Sequence, residues 1–413
     1  MHISCALGQA LNVLQWCMHD AGKLLLVFIA IVFLLRKKLN IGIVMFLAAS
    51  LLILLYSMPP GRIWDTCRRT VMNPVTLNLI LALSFIRIFE MILREQKVLG
   101  RMTDTVKAVF RNRKIVTISM PLLIGLMPSV GGAYFSAPMV AETTSDTRMS
   151  PEEKGFINYW FRHPWEYILP LYPGILLAAA LTKIPLSDLI LANSVYAALL
   201  VITGFIFAMH GLRGKTAPGS RVSLSNIGSF VPIVSVLLLV LLFRMELHYS
   251  LIAVVTILFL FFRYRTQNIL AAFRHGFSPD VIILILGVMF FKEAMEHSGA
   301  VKNLSQFFLE KNIPLSPILF LLPFVSGVLT GITVGFVGST FPLLISLTGN
   351  ISLASISFAF ASGLIGVLLS PVHVCLILTR EYFRADLWKM YRMMIPAGAI
   401  VFAGAVVEYL ILK

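Results

Sequence analysis

Residues 119–147 form an apolar stretch that is interrupted in its middle, and this interruption constrains the fold more than any other feature. Pro128, Ser129, Gly131 and Gly132 separate two apolar arms, and each arm is about half the roughly 20 residues that a helix needs to span a bilayer. Non-helical backbone at membrane depth is tolerated only where protein buries it or where it lines a wet cavity. The pattern predicts a re-entrant hairpin of two half-helices whose Ser/Gly tip belongs to a binding site.

The composition places the whole chain in a membrane. Of its 413 residues, 58% are hydrophobic and 13% are charged, whereas soluble domains are about 45–50% apolar and 25% charged. The net charge of +15 is interpreted as the Lys and Arg excess of cytoplasmic loops, not as a nucleic-acid surface. The first residues have neither a basic n-region nor a small-residue cleavage site, so we expect no removable signal peptide. The fold class predicted is an all-α polytopic membrane protein.

The four cysteines have no metal-ligand spacing. They are Cys5, Cys17, Cys67 and Cys375. We expect them to be unpaired, the alternative being a Cys5–Cys17 disulfide if the N-terminus is extracytoplasmic.

The hydropathy pattern predicts about ten transmembrane helices and two re-entrant hairpins, divided between two halves of the chain. The N-terminal half, residues 1–209, has predicted spans at 22–36, 40–57, 75–93, 156–182 and 186–209, with a hairpin at 115–142. A polar cytoplasmic linker follows at 210–226. The C-terminal half, residues 227–413, has predicted spans at 227–243, 246–263, 279–297, 350–378 and 391–412, with a hairpin at 316–347. The basic stretch 94–114 is predicted to be an interfacial helix.

The two hairpins resemble each other in the order of their helix-breaking and hydroxyl residues. The matched pairs are Pro121 with Pro323, Gly125 with Gly327, Gly131 with Gly335, Ser136 with Thr340, and Pro138 with Pro342. Because each half has five spans, the second half must enter the membrane inverted. Inverted repeats with broken segments at corresponding positions are typical of secondary transporters, with the binding site at the midplane between the repeats.

The distribution of Lys and Arg predicts the orientation. Most of the 34 basic residues fall on one side of the predicted topology, and the positive-inside rule makes that side cytoplasmic. Both termini are then extracytoplasmic. The first hairpin opens from the cytoplasm and the second from outside.

After each hairpin, a predicted span is broken by a proline next to polar residues. The first break contains Arg162, His163 and Pro164, and the second runs from Ser370 to His373. Proline removes a helical hydrogen bond and clashes with the preceding turn, and a polar residue inside a span indicates function by default. Half-helix N-termini present free N–H groups that suit an anion. The predicted substrate-binding residues are Ser129, Gly131, Gly132, Ser136, Arg162, His163, Thr330, Thr333, Gly335, Ser339, Thr340, Ser370 and His373.

The driving ion is predicted to act at the same place. Glu166, His163 and His373 are the coupling candidates for H⁺, and Na⁺ at the hairpin tips is the alternative. No other cofactor or metal is expected.

Structural interpretations of the same residues remain open. Glycines in membrane helices often serve close packing, and either histidine can be a structural hydrogen-bond partner. Arg162 can pair with Glu166 if that helical turn is intact. Internal ion pairs are expected between Arg87 and Glu90, and between Lys292 and Glu293.

The pattern of three spans, a hairpin and two spans, repeated with inversion, resembles the ion transporter superfamily. Residues 125–139 (GLMPSVGGAYFSAPM), 162–167 (RHPWEY) and 370–373 (SPVH) resemble an uncharacterised, gluconate-permease-like prokaryotic integral-membrane family of that superfamily. The resemblance implies an elevator mechanism, in which the hairpins and broken spans slide against a dimeric scaffold. The Ser-Asn-Thr sodium motifs of the dicarboxylate carriers are absent from both tips, which leaves Na⁺ and H⁺ coupling open.

These observations predict a secondary transporter of the inner membrane that carries a small, anionic metabolite, and the resemblance implies that it is a homodimer. The alternative is an inorganic ion exchanger such as a Na⁺/H⁺ antiporter. An enzyme is disfavoured because the sequence has no GxSxG or HExxH motif, and nucleotide-driven transport because it has no P-loop. Nucleic acid is not an expected partner.

Overall fold

The computed structural model describes residues 20–37, 39–110, 112–128, 132–208, 212, 224–298, 314–348 and 351–412. These residues are helical almost throughout and include no β-strand, as the composition predicts. Within them, five helical segments are long and apolar enough to cross a membrane. They are Pro74–Glu95, Pro151–Thr182, Leu186–Ala208, Thr266–His297 and Leu387–Leu412. The protein is therefore a helical, multi-pass membrane protein.

The described helices of the N-terminal half run from Asp20 to Ala208. The helices are α1 (Asp20–Arg36), α2 (Ile41–Leu55), α3 (Pro60–Met72), α4 (Pro74–Glu95), α5 (Val98–Val109), α6 (Arg113–Gly125), α7 (Gly132–Thr143), α8 (Pro151–Trp160), α9 (Trp165–Ile168), α10 (Pro173–Thr182) and α11 (Leu186–Ala208). Helices α6 and α7 pack against each other where the sequence predicts the first hairpin.

The described helices of the C-terminal half follow in a similar order. They are α12 (Leu224–Ile227), a 3₁₀ turn (Gly228–Phe230), α13 (Val231–Leu241), α14 (Leu247–Phe261), α15 (Thr266–Gly276), α16 (Pro279–His297), α17 (Leu315–Thr330), α18 (Thr333–Thr348), α19 (Leu353–Leu368), α20 (Val374–Phe383) and α21 (Leu387–Leu412). Helices α17 and α18 pack together where the second hairpin is predicted. Most of the predicted linker 210–226 lies outside the described residues.

Two helices occupy stretches that the hydropathy pattern leaves as loops. Helices α3 and α15 carry many polar residues, so their mean hydropathy is too low for a predicted span. Each nevertheless buries one face: Thr66 and Thr70 of α3 and Ala272 of α15 are buried, while Trp64 and Arg274 are exposed. Helix α3 contacts α16 through this face, where Oγ1 of Thr66 lies 2.8 Å from Nδ1 of His297, so a helix of low mean hydropathy can still pack against its neighbours.

Helices of one half pack on helices of the other in a reciprocal manner. Helix α2 packs on α16, and in the matching contact α14 packs on α4. Helix α3 also packs on α16, and in the matching contact α15 packs on α4. Likewise α7 packs on α20 as α18 packs on α10, and α11 packs on α21. These contacts are exchanged when the helices of one half are matched to those of the other in chain order.

The tightest of these contacts joins α2 and α16 through glycine. A Cβ at Gly42 would lie 2.2 Å from the carbonyl oxygen of Ile283, and a Cβ at Gly287 would lie 2.1 Å from the carbonyl oxygen of Gly42. Only glycine permits two backbones to approach this closely, as small residues do at membrane helix crossings.

Two ion pairs lie at the end of the first hairpin that is predicted to face the cytoplasm. Arg113 Nη2 lies 2.8 Å from Asp146 Oδ2, and Lys107 Nζ lies 3.1 Å from Glu142 Oε2. The hydrogen bond from Arg113 lowers the pKa of Asp146, so this pair is lost only as the pH falls through the lowered value. Because both acids are exposed, each pair adds little stability.

The two internal ion pairs predicted from the sequence have different outcomes. Lys292 Nζ lies 3.3 Å from Glu293 and also 2.7 Å from Glu296. Glu90 pairs with Arg94 at 2.7 Å and not with Arg87, although residues three and four positions away both lie on its helix face.

We expect Gly42→Ala to lower the apparent melting temperature of the purified protein, because overpacking a close contact costs about 1–3 kcal/mol. Gly61→Ala is the matched control, since Gly61 is also the second residue of its helix and has no atom within 4 Å of the added Cβ. Equal melting temperatures for the two variants in a thermal unfolding assay would contradict the close crossing.

Candidate functional site

Two helix breaks, one from each half, form the centre of the site. Helix α8 ends at Trp160 and α9 begins at Trp165, so residues 161–164 interrupt the first broken span. Helix α19 ends at Leu368 and α20 begins at Val374, which leaves residues 369–373 non-helical. Pro164 and Pro371 lie in these breaks, as the sequence predicts.

Side-chain donors satisfy backbone carbonyls at the ends of the interrupted helices. Such carbonyls have no partner within their own helix and no water to bind in a bilayer. The donor–acceptor pairs are Trp165 Nε1 to Leu122 O at 2.7 Å, Tyr172 Oη to Gly125 O at 2.6 Å, Ser370 Oγ to Val328 O at 2.6 Å, and Tyr159 Oη to Leu368 O at 2.9 Å. The breaks and the hairpin ends are thus held together by hydrogen bonds to the main chain.

The tip of the second hairpin is shaped by Gly331. It ends α17 with φ +65°, a left-handed conformation that favours glycine. Its carbonyl oxygen lies 2.7 Å from Nδ1 of His373. The turn therefore connects the second hairpin to the second helix break.

His163 and His373 meet at the centre of the site. Their Nε2 atoms lie 3.1 Å apart, and both side chains are buried. Nδ1 of His163 faces the carbonyl oxygen of Tyr159 at 2.7 Å, as Nδ1 of His373 faces that of Gly331. A nitrogen that faces a carbonyl must carry a hydrogen, so each neutral ring has a lone pair on Nε2. Two lone pairs at this distance need a proton or a cation between them.

Glu166 supplies a buried carboxylate beside this pair. Its Oε1 lies 3.7 Å from Nε2 of His163. Its Oε2 accepts a hydrogen bond from Oγ1 of Thr333, the first residue of α18. This contact joins the first broken span to the second hairpin.

Arg162 lies against the first hairpin. A Cβ at Gly132, the first residue of α7, would lie 2.1 Å from Nη1 of Arg162, and a Cβ at Gly125 would lie 2.3 Å from the carbonyl oxygen of Arg162. Both hairpin arms therefore approach the Arg162 residue closely, and the absence of a side chain at these two positions permits it.

A cavity of about 270 Å³ lies between the breaks and the hairpins. It is lined by Ile41, Pro128, Arg162, Glu166, Tyr172, Pro173, Gly174, Leu284, Gly331, Ile332, Thr333, Val334, His373, Val374 and Cys375. A second cavity of about 580 Å³ shares Ile41, Pro128, Pro173 and Leu284 with it and is also lined by Arg87, Glu90 and Arg94. The smaller cavity is thus adjacent to a wider, more polar one.

The structure brings some of the predicted substrate-binding residues to this cavity. Arg162, Thr333 and His373 line it, and His163 and Gly132 contact residues that do. The others make contacts elsewhere. Ser136 Oγ bonds to Asn158 Oδ1 at 2.6 Å, Ser339 Oγ to Ser326 Oγ at 2.8 Å and Ser370 Oγ to Val328 O, each on another helix, and Gly335 lies against Thr330. Thr340 Oγ1 bonds to Phe336 O at 2.7 Å within its own helix, and Thr330 Oγ1 to Ile332 O at 3.3 Å within the turn that follows α17. Ser129 and Gly131 lie outside the described residues.

Sequence reasoning did not single out Tyr172 or Cys375. Tyr172 follows the first break, and only the structure reveals that it lines the cavity and donates a hydrogen bond to the carbonyl oxygen of Gly125. Cys375 lies two residues after His373, but its other neighbour, His163, is distant in sequence, so no local spacing signals the cluster.

Comparisons with known proteins agree with this architecture. Residues 21–412 match the family described as protein of unknown function (DUF401). The chain belongs to this family. A search of curated proteins finds no match to it.

Among solved structures, the fold is similar to that of the Alcanivorax borkumensis YdaH transporter, which was described as having an unusual topology. The TM-score is 0.55 at 11% sequence identity, over 84% of this chain and 86% of that one. The DUF401 chain therefore shares its fold with a membrane transporter.

We expect Asn158→Ala to lower the apparent melting temperature, because Asn158 joins three elements in a fully buried position. Its Nδ2 donates to Ala133 O at 2.9 Å and to Thr379 Oγ1 at 3.0 Å, and its Oδ1 accepts from Ser136. Each buried polar group left without a partner costs about 1–3 kcal/mol. The control Asn268→Ala changes an exposed residue of α15 and should have no effect; equal stability of both variants would argue against the network.

Proposed function

We propose that the protein is a secondary active transporter that moves a small anionic metabolite across the cytoplasmic membrane. The observation that carries this proposal is the cavity between the two helix breaks. Its volume of about 270 Å³ suits a small molecule. Arg162 offers a guanidinium that matches a carboxylate, and Glu166, Thr333 and His373 add polar contacts from both halves of the chain.

The proposal includes two inverted repeats, residues 1–209 and 227–413. The reciprocal packing between halves supports it, because a two-fold relation makes equivalent elements exchange contacts. The similar order of the described helices in the two halves gives further support. A site formed where two inverted repeats meet is a common feature of secondary transporters.

An elevator mechanism fits the division of helices. Helices α1–α5 and α13–α16 would form the scaffold and its homodimer interface, and the hairpins and broken spans would form the moving unit. Several crevices of the described residues follow the boundary between these groups. One is the 580 Å³ cavity already described, and another, of about 720 Å³, is lined by Arg68, Lys183 and Glu296 among others. The resemblance to the ion transporter superfamily supports the same mechanism.

The driving ion in this proposal is Na⁺ or H⁺. Na⁺ would bind near the hairpin tips, whereas H⁺ would use the cluster of Glu166, His163 and His373. A Na⁺/H⁺ antiporter is the second candidate, favoured by the buried carboxylate beside two histidines. An ion exchanger would need no organic ligand, and this difference can be measured.

We expect a small carboxylate to raise the apparent melting temperature of the purified protein, in a way that depends on Na⁺ or on pH. A ligand that binds only the folded state raises the free energy of unfolding by about 2.7 kcal/mol when its concentration is 100 times its Kd. Thr333→Val should weaken the ligand at least about tenfold, because it removes the hydrogen bond that holds Glu166, and bonds to charged groups contribute about 1.5–3 kcal/mol.

Thr256→Val is the matched control, since Thr256 is exposed and bonds only to its own helix. It should respond as the unaltered protein does. A response to Na⁺ or pH with no carboxylate in a broad panel would favour the ion exchanger. A carboxylate that stabilises Thr333→Val as well as it stabilises the control would place the ligand elsewhere.

The inverted arrangement predicts opposite sidedness for the bases of the two hairpins. In a variant without native cysteines, a single cysteine at Glu142 should react with an impermeant maleimide from the cytoplasm, and one at Pro314 from outside. Both positions are exposed. Labelling of both from the same side of intact cells and inverted vesicles would exclude inversion.

A further inference from the structure

A third side chain joins the histidine pair at the centre of the site. A ring nitrogen of His163, a ring nitrogen of His373 and Sγ of Cys375 all lie within 4.8 Å of one another, and all three side chains are buried. Imidazole nitrogen and thiolate sulfur are the ligands that zinc prefers. The two histidines come from different halves of the chain, so the set exists only in the folded protein.

The outer contacts of the histidines are those of metal ligands. Each ring directs Nδ1 at a backbone carbonyl 2.7 Å away, that of Tyr159 or that of Gly331. Metal-binding histidines almost always donate their second ring N–H in this way, which fixes the tautomer and the orientation of the ring. Both Nε2 lone pairs are therefore available and directed at the same point.

The spacing of the two nitrogens also fits an ion. Two Zn–N bonds of about 2.0–2.1 Å at a tetrahedral angle place the nitrogens about 3.3 Å apart. The observed separation is 3.1 Å. Little movement of the rings is needed to admit the ion between them.

We propose that His163 Nε2, His373 Nε2 and Cys375 Sγ form a three-ligand site for Zn²⁺. Binding displaces the proton of the thiol and any proton shared by the histidines, and both protons leave to solvent. Two neutral imidazoles and one thiolate leave a net charge of +1 on the ion. The fourth position is open, as in zinc sites that bind a water or a substrate.

The open position faces the proposed ligand. His373 and Cys375 both line the 270 Å³ cavity, so the ion would present its positive charge to an anion held there. It would also occupy the space of the shared proton, so Zn²⁺ and a proton cannot bind the pair together.

The test uses Co²⁺, which reports its own ligands spectroscopically. We would purify the full-length protein without a polyhistidine tag, with Cys5, Cys17 and Cys67 replaced by serine so that Cys375 is the sole thiol. One equivalent of Co²⁺ should give the visible bands of a four-coordinate ion together with a thiolate-to-cobalt charge-transfer band. Added Zn²⁺ should abolish both.

Two variants identify the ligands. Cys375→Ser, which is nearly isosteric, should remove the charge-transfer band. His373→Gln should weaken Co²⁺ binding by more than about 100-fold, because losing only a residue that hydrogen-bonds to a metal ligand costs at most about that much. Glu381→Gln, on the same helix, is the control and should bind as the parent does. Thermal unfolding of each variant without metal verifies that it is folded.

Failure of the parent to show the charge-transfer band, or its persistence in Cys375→Ser, would overturn the site. The histidines and the thiol would then form a hydrogen-bonded network only. Because the assay reads the ion and not uptake, its outcome is independent of the carboxylate measurements that test transport.

Discussion

The need to satisfy backbone carbonyls inside a membrane determines how this structure is built. Interrupting a helix there frees carbonyl oxygens, and no water is present to bind them. The chain meets this need with donors on long side chains: Trp165, Tyr172 and Tyr159 reach carbonyls of other elements, and His373 reaches the tip of the second hairpin. The breaks provide irregular backbone around a cavity, and the donors make that irregular backbone stable. Tyr172 and His373 therefore both line the cavity and support the backbone around it.

The reciprocal packing of the two halves explains where the cavity lies. Each half supplies one helix break, and neither break has all its hydrogen-bond partners within its own half. Tyr159 donates to Leu368 across the halves, and Thr333 donates to Glu166 in the same sense. The cavity is consequently a property of the assembled pair of halves, and so is the contact between His163 and His373.

The sequence was sufficient to predict the class and both helix breaks, because long apolar runs and prolines act locally. Paired helices also pack together in the two stretches where it predicts hairpins. The sequence failed for α3 and α15, whose buried faces are too narrow to raise the mean hydropathy. It also could not say which hydroxyls of the hairpins face the cavity. Ser136 and Ser339 lie on helices buried on several sides, and helical periodicity alone does not identify which neighbour a side chain meets. Cys375 was missed because its partner His163 is distant in the chain.

Donation to carbonyls has an evolutionary consequence. Every residue type carries a backbone carbonyl, so the accepting positions, such as Leu122 and Leu368, can change side chain without losing the bond. The donating positions have no such freedom, because only a long side chain with an N–H or O–H at its end can replace Trp165 or Tyr159. Within a family that shares this fold, variation should therefore be unequal across each bond. The acceptor side can adapt to new neighbours while the donor side stays fixed.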